Sequence, residues 1–204
     1  MCDIVLHPGL FKTGTTFLQK GFFPFLDNVN LIVSQYFKNW DVQEGKINII
    51  SEENLSLSRP LFYDHRKAIL VLDYLHKLFP NAKIIIGTRE KISWLRSCYN
   101  QFIRDTGEYV SFETYYDEYK DFMDVDVYLK EIKNRWENVF VYHQETLRDE
   151  LKPMCDFIGC SFPVFYLDKR FNVSLSDNQL RVLRFFNFFH LNYEVNNFIK
   201  KINK

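Results

Sequence analysis

The stretch Asp3-Ile-Val-Leu-His-Pro-Gly-Leu-Phe-Lys-Thr-Gly-Thr-Thr16 decides the fold of this 204-residue chain. Ile4, Val5 and Leu6 form a short apolar run of strand length. A loop with two glycines follows, and a helix opens at Thr15 or Thr16. A strand–loop–helix unit of this kind points the unpaired N–H groups of the first helical turn at whatever sits in the loop. Gly9 and Gly14 have the spacing of a Walker A phosphate loop, but that motif ends in Gly-Lys-[Ser/Thr]. Here Gly14 is followed by Thr15 and Thr16, and the only lysine of the loop, Lys12, precedes the second glycine. The backbone logic survives the change. Gly14 lets a phosphate or sulfate approach the main chain closely, and Lys12 supplies its charge from the loop instead of from the helix.

Strands and helices alternate outward from this unit. Asp3–His7 reads as a strand and residues 15–26 as a helix, followed by a short strand near 31–34. Residues 46–51 are rich in β-branched side chains and bounded by Gly45, which predicts a third strand. Asp64 is the expected N-cap of a helix over 64–79, with Ile69, Leu72, Leu75 and Phe79 at helical spacing and Pro80 as its stop. Lys83–Thr88 is the most apolar strand, of the kind buried on both faces. Helices are predicted over 92–104, 111–122 and 125–136, and a strand over 139–142. Ser176 and Gln179 form a capping box that opens a last helix carrying Leu180, Leu183 and Phe186. The expected architecture is α/β: one domain over residues 1–204, with a P-loop-like parallel β-sheet flanked by helices on both faces. Ligands of such sheets sit beyond the carboxyl ends of the strands, where His7, Ser51 and Thr88 fall.

Composition narrows the partners. Lys and Arg together number 26, as do Asp and Glu, so no global field draws the chain to nucleic acid or to an anionic membrane. Any anion site is local. The C-terminal lysines, Lys200, Lys201 and Lys204, read as a solvated helix end. Hydrophobic residues make up 47% of the chain, enough for a sizeable core, and the 21 Phe and 12 Tyr mostly fill it. Cys2, Cys98, Cys155 and Cys160 show no metal-binding spacing and are expected as free thiols, although Cys155 and Cys160 flank Gly159 and stand close enough in sequence to meet. The sequence shows no signal peptide and no apolar run of membrane-spanning length. The expectation is a cytoplasmic protein without a stable membrane anchor.

Two more strand ends carry chemistry. Thr88 runs into Arg89, and Ser97 follows eight residues later inside the next helix. An arginine at a strand end binds a phosphate in a two-pronged way that lysine does not, and a helix serine can donate to the same group. After residues 46–51 comes Ser51-Glu52-Glu53-Asn54-Leu55, which sets two carboxylates at the same sheet edge. Either is a candidate base; solvated charge or helix capping is the plainer reading of both. His7 and His65 are rivals.

Together these segments resemble the sulfotransferases that use 3′-phosphoadenosine-5′-phosphosulfate. Lys12-Thr13-Gly14-Thr15-Thr16 is similar to their 5′-phosphosulfate loop, and Arg89 with Ser97 to their 3′-phosphate segment. The Glu52–Glu53 turn resembles the Ser-Ser-Glu-x-Leu turn of bacterial members, with Glu53 on the family's glutamate and Glu52 in place of the second serine. The Lys-Thr-His turn of the phenol and steroid type is absent, so the likeness is to carbohydrate-type members. Tyr142-His-Gln-Glu145-Thr-Leu147 resembles the family's Tyr-Glu-Asp-Leu turn, and Arg170-Phe-Asn172-Val-Ser174 its Arg-x-Asn-x-Ser segment, where Arg170 would reach a phosphate.

The resemblance implies transfer of a sulfuryl group from that donor to an acceptor hydroxyl or amine, on a glycan or other small molecule. Adenosine 3′,5′-bisphosphate is then the product, and no metal is required. Two other classes stay open on the residues alone: a P-loop kinase or NTPase with an aberrant loop, and a non-catalytic nucleotide-binding protein.

Overall fold

The computed structural model describes residues 3–33, 40–56, 65–121, 124–166 and 175–188. Contacts divide the chain into two compact units, Met1–Arg89 with Met123–Phe171, and Glu90–Phe122 with Asn172–Lys204.

The first unit holds a five-stranded, wholly parallel sheet. Its strands are β1 (Asp3–His7), β2 (Val29–Ile32), β3 (Ile47–Ser51), β4 (Lys83–Thr88) and β5 (Val139–His143), in the order β2-β3-β1-β4-β5. The strands are short, β-branched and bounded by turns, and β3 and β4 are buried almost throughout. β2 begins two residues before the expected strand, because Val29 pairs with Ile47 and starts the ladder there; Ser34 lies outside the described residues.

Register sorts the side chains by face. Val5, Ile47, Ile49, Ile85 and Tyr142 share one face and pack on the segment after β1 and on α6 (Leu147–Ile158). Leu6, Ile50, Ile84 and Ile86 are buried on the other, where α2 (His65–Leu78) and α5 (Val125–Arg135) pack together. Right-handed crossovers give this division: the chain leaves β1 toward β2 and leaves β4 toward β5, so its helices fall on opposite faces. The same reversal opens a crevice between the carboxyl ends of β1 and β4, the place where such sheets bind ligands.

Two helices differ from expectation. Residues 15–25 are helical throughout but change pitch twice: α1 (Thr15–Phe17) runs into a π turn (Leu18–Phe22) and then a 3₁₀ turn (Phe23–Phe25). Pro24 has no N–H to continue an α ladder. α6 was not among the expected elements, and it holds Pro153 inside it. Its buried residues Leu147, Leu151, Met154, Cys155 and Ile158 follow a helical period, and Pro153 stands on the exposed side, away from that packed face. The Lys83 ammonium closes the far end of α6 by donating to the carbonyls of Phe157 (2.8 Å) and Ile158 (2.9 Å). The described cysteines, Cys98, Cys155 and Cys160, are free thiols.

The second unit is helical. Glu90 caps α3 (Lys91–Thr106) by accepting from the N–H groups of Ile92 and Ser93. Ser111 caps α4 (Phe112–Tyr119), and the Tyr115 ring packs against Tyr99 and Phe102 of α3. α7 (Asp177–Phe188) opens on a reciprocal box: the Ser176 N–H donates to Gln179 Oε1 at 2.8 Å, and the Gln179 N–H to Ser176 Oγ at 3.3 Å. Asn187 ties α7 to the end of α3 by donating to the carbonyls of Ile103 and Glu108. Asp64, Arg170 and the C-terminal lysines lie outside the described residues.

Candidate active site

The loop from β1 to α1 is shaped by three left-handed residues, Gly9 (φ 47°), Lys12 (φ 68°) and Gly14 (φ 99°). Gly14 is the N-cap of α1, and a Cβ there would stand 2.8 Å from Leu147. A Cβ on Gly9 would meet Thr15 Oγ1 at 2.7 Å. Lys12 has no such excuse, and a non-glycine residue in this region stores strain on the order of 1–3 kcal/mol. The loop therefore holds Lys12 where an unconstrained chain would not. Its ammonium lies 5.4 Å from the centre of the Phe11 ring. The Thr13 hydroxyl is turned inward and donates to the Leu10 carbonyl at 2.7 Å, so it shapes the loop. The Thr15 side chain is buried, and its Oγ1 meets no hydrogen-bond partner among the described residues. Gly14 and Thr16 are half-buried.

β4 brings Arg89 to this loop. Arg89 Nη1 donates to the Lys12 carbonyl at 3.3 Å, and Nε stands 3.8 Å from Glu145 Oε1, in the turn after β5. With both groups partly exposed, this long ion pair contributes little. Arg89 Nε is buried and makes no hydrogen bond within the described residues. A guanidinium carries five donors, and this one has capacity left for an oxyanion. Glu145 was read from sequence only as part of a structural turn; its nearness to Arg89 is a tertiary finding. Ser97 belongs to the second unit, where it is buried on α3.

β3 delivers the two carboxylates, and the structure separates them. Glu52 is 9% exposed, and its Oε1 accepts from the Asn54 N–H (2.9 Å) and side-chain amide (2.7 Å). It caps the 3₁₀ turn Glu53–Ser56. Glu53 is half-buried. Its charge reaches Tyr142, at the end of β5: the phenol's pKa is raised first by burial and further by the Glu53 carboxylate, while the Thr13 and Thr15 side chains beside it pull the other way.

His7 is not available as a rival base. Its ring is fully buried, and burial alone pushes its pKa down to about 3. Nδ1 lies 2.7 Å from Ser51 Oγ and Nε2 lies 3.2 Å from the Tyr142 hydroxyl. The side chain of His65 is outside the described set.

Arg89 therefore joins the Lys12 main chain to the Glu145 turn at the carboxyl ends of β1, β4 and β5. Residues 64–153, which include Arg89, Ser97 and Glu145, match the family model described as the sulfotransferase domain. The sulfotransferase from Alicyclobacillus acidocaldarius shares the fold, with a TM-score of 0.57 and 15% identity over 97% of this chain and 99% of that one. The mouse sulfotransferase SULT7A1 complexed with PAP aligns over 93% of this chain and 66% of that one, at 13% identity and a TM-score of 0.47. No curated protein matches in sequence. Residues 64–153 of this chain thus match the sulfotransferase domain, and its parallel sheet carries a fold that a sulfotransferase shares.

Proposed function

We propose that this chain is a sulfotransferase that takes its sulfuryl group from 3′-phosphoadenosine-5′-phosphosulfate and passes it to an acceptor hydroxyl or amine, with glycans as the first class to test. The observation that carries the reading is the bond from Arg89 to the Lys12 carbonyl, which joins two cationic strand-end segments at the switch point of the sheet. Two segments that each carry a cation, joined at the strand ends, fit a donor with phosphates at both ends of its ribose. The one-domain reading of residues 1–204 is supported by the near-complete mutual coverage with the Alicyclobacillus fold. No described helix is long and apolar enough to cross a membrane, which is compatible with a cytoplasmic enzyme.

The chemistry is an in-line displacement, with demands close to those of phosphoryl transfer. A lone pair of the acceptor oxygen forms the new bond to sulfur. The bond from sulfur to the bridging 5′-phosphate oxygen breaks, and its electron pair leaves with adenosine 3′,5′-bisphosphate. Charge grows on that oxygen, and Lys12 with the amides of Gly14, Thr15 and Thr16 stabilises it. Arg89 orients the donor through its 3′-phosphate. Ser97 and Arg170 are assigned to donor phosphates by the resemblance and are tested as Ser97→Ala and Arg170→Ala. The acceptor proton passes to Glu53. Glu52 is the weaker candidate, because one of its oxygens already holds the Asn54 turn.

Titration calorimetry with adenosine 3′,5′-bisphosphate, beside ATP with magnesium, tests the donor. Binding of the bisphosphate in preference to ATP is expected. Preference for ATP with magnesium would replace this reading with a P-loop NTPase. A sulfate-transfer screen over glycans, lipids and phenols then tests the acceptor class.

A further inference from the structure

Two of the free thiols, Cys155 and Cys160, stand on either side of Gly159 at the end of α6, and none of the transfer steps above uses them. Gly159 ends the helix in the left-handed region, at φ 93° and ψ 33°. The chain doubles back there. The Gly159 N–H donates to the Cys155 carbonyl at 2.8 Å, and the Cys160 N–H donates to the same oxygen at 3.1 Å. In glycine caps closed this way, the side chain just after the glycine commonly rests against the side chain one turn back in the helix. Cys160 follows that rule. Its Sγ stands 3.8 Å from the Cys155 carbonyl, and its side chain packs against the core cluster to which Cys155 belongs.

The backbone alone brings the pair within covalent reach. With ordinary bond lengths, the 3.1 Å bond from the Cys160 N–H to the Cys155 carbonyl leaves the two α-carbons no more than about 7 Å apart, which is the outer limit for a disulfide. Any bend along that path sets them closer. The two thiols differ in access: Cys155 is 0% exposed, whereas Cys160 is part-exposed. A solvent-borne oxidant therefore meets Cys160 first and leaves Cys155 as the thiol that resolves.

We propose that Cys155 and Cys160 form a reversible oxidation site for peroxides, closing as a disulfide across the C-terminal cap of α6. The Cys160 thiolate attacks one oxygen of a hydroperoxide. The O–O bond breaks, and its electron pair leaves on the other oxygen, which takes up a proton and departs as water or an alcohol. Cys160 then carries a sulfenic acid. The Cys155 sulfur gives up its proton and forms the S–S bond, while the S–O bond breaks and water leaves. Two electrons pass from the thiols to the peroxide, and a reducing dithiol returns them. The loop so closed is short, so the bridge adds little stability. Its effect is to stop oxidation of Cys160 at a reversible stage, before sulfinic acid forms. This chemistry is independent of the group that the protein transfers.

The test treats the folded full chain with hydrogen peroxide, then with N-ethylmaleimide, and reads the result by mass spectrometry without reduction. The peptide that holds both cysteines is expected to lose two hydrogens and to carry no maleimide. After dithiothreitol it should accept a maleimide on each sulfur. Cys155→Ala is expected to leave a Cys160 sulfenic acid that dimedone traps, and Cys160→Ala to leave Cys155 unoxidised at the same dose. Sulfinic or sulfonic acid at Cys160 beside a free Cys155 thiol in the wild type would overturn the proposal. So would a bridge from either residue to Cys2 or Cys98, or a pair left unchanged at a dose that oxidises free glutathione. The wild-type arm decides the matter even where a variant fails to fold.

Discussion

Arg89 and His7 stand at the carboxyl ends of neighbouring strands, β4 and β1, yet their surroundings are opposite. Arg89 is part-exposed, holds one 3.3 Å bond to a carbonyl, and keeps a buried Nε without a hydrogen bond among the described residues. His7 is fully buried, uncharged and bonded through both ring nitrogens. The difference separates two jobs. A site for an anionic ligand keeps donor capacity unspent, because the ligand supplies the missing acceptors. A frame for that site needs every polar group satisfied, because a buried group without a partner costs on the order of 1–3 kcal/mol and loosens the arrangement.

The sharpest way to break this comparison is at the carboxylates. Under the proposed mechanism, Glu53→Gln should lower kcat roughly 10²–10⁴-fold with bisphosphate binding intact, whereas Glu52→Gln keeps an oxygen for Asn54 and should stay near wild type. The reverse pattern in steady-state kinetics would move the base to Glu52.

Next in size is the acid sensitivity of the frame. The folded pKa of His7, about 3, lies below its ordinary value of 6.5. The unfolded chain therefore takes the proton first as pH falls. This contribution to stability is full above about pH 6.5 and is lost progressively down to about pH 3; for a fully buried ring it amounts to roughly 5 kcal/mol at most. Denaturant unfolding at several pH values should show the loss in wild type and a flatter profile in His7→Gln. Parallel profiles would mean that His7 is charged or exposed in the folded protein.

At the mouth, Arg89→Ala should weaken bisphosphate binding by about 2–5 kcal/mol and erode the preference for 3′-phosphorylated nucleotides. Calorimetry showing an unchanged ratio between the bisphosphate and adenosine 5′-phosphate would leave Arg89 with no role beyond the Lys12 carbonyl. The smallest effect belongs to Glu52→Ala, which removes the acceptor for the Asn54 turn and should reduce stability by about 1 kcal/mol. A melting temperature equal to wild type would deny Glu52 its capping role.

Local chemistry made much of this legible from sequence. β1 and β4 end where their apolar runs end, at His7 and Thr88, because a strand buried on both faces announces itself without reference to its neighbours. The Ser176–Gln179 box lies wholly within four residues, so its pattern and its geometry coincide. Arg89 just past a strand end was likewise readable in place, whereas the positive φ of Gly14 is a finding of the structure. α6 was not read, although its buried residues follow a helical period around Pro153.

What the sequence determined by itself is the set of strand-end segments, since strand, turn and cap preferences act over a few residues. Tertiary structure alone decided how those segments meet. Only the strand order brings Arg89 to the Lys12 carbonyl across 77 positions of sequence. Only burial distinguishes the adjacent carboxylates Glu52 and Glu53. And only the register of β4 against β5 lays Tyr142 over Gly87 and up to His7, because hydrogen bonds between distant residues depend on which faces the sheet turns inward, and no local pattern encodes that.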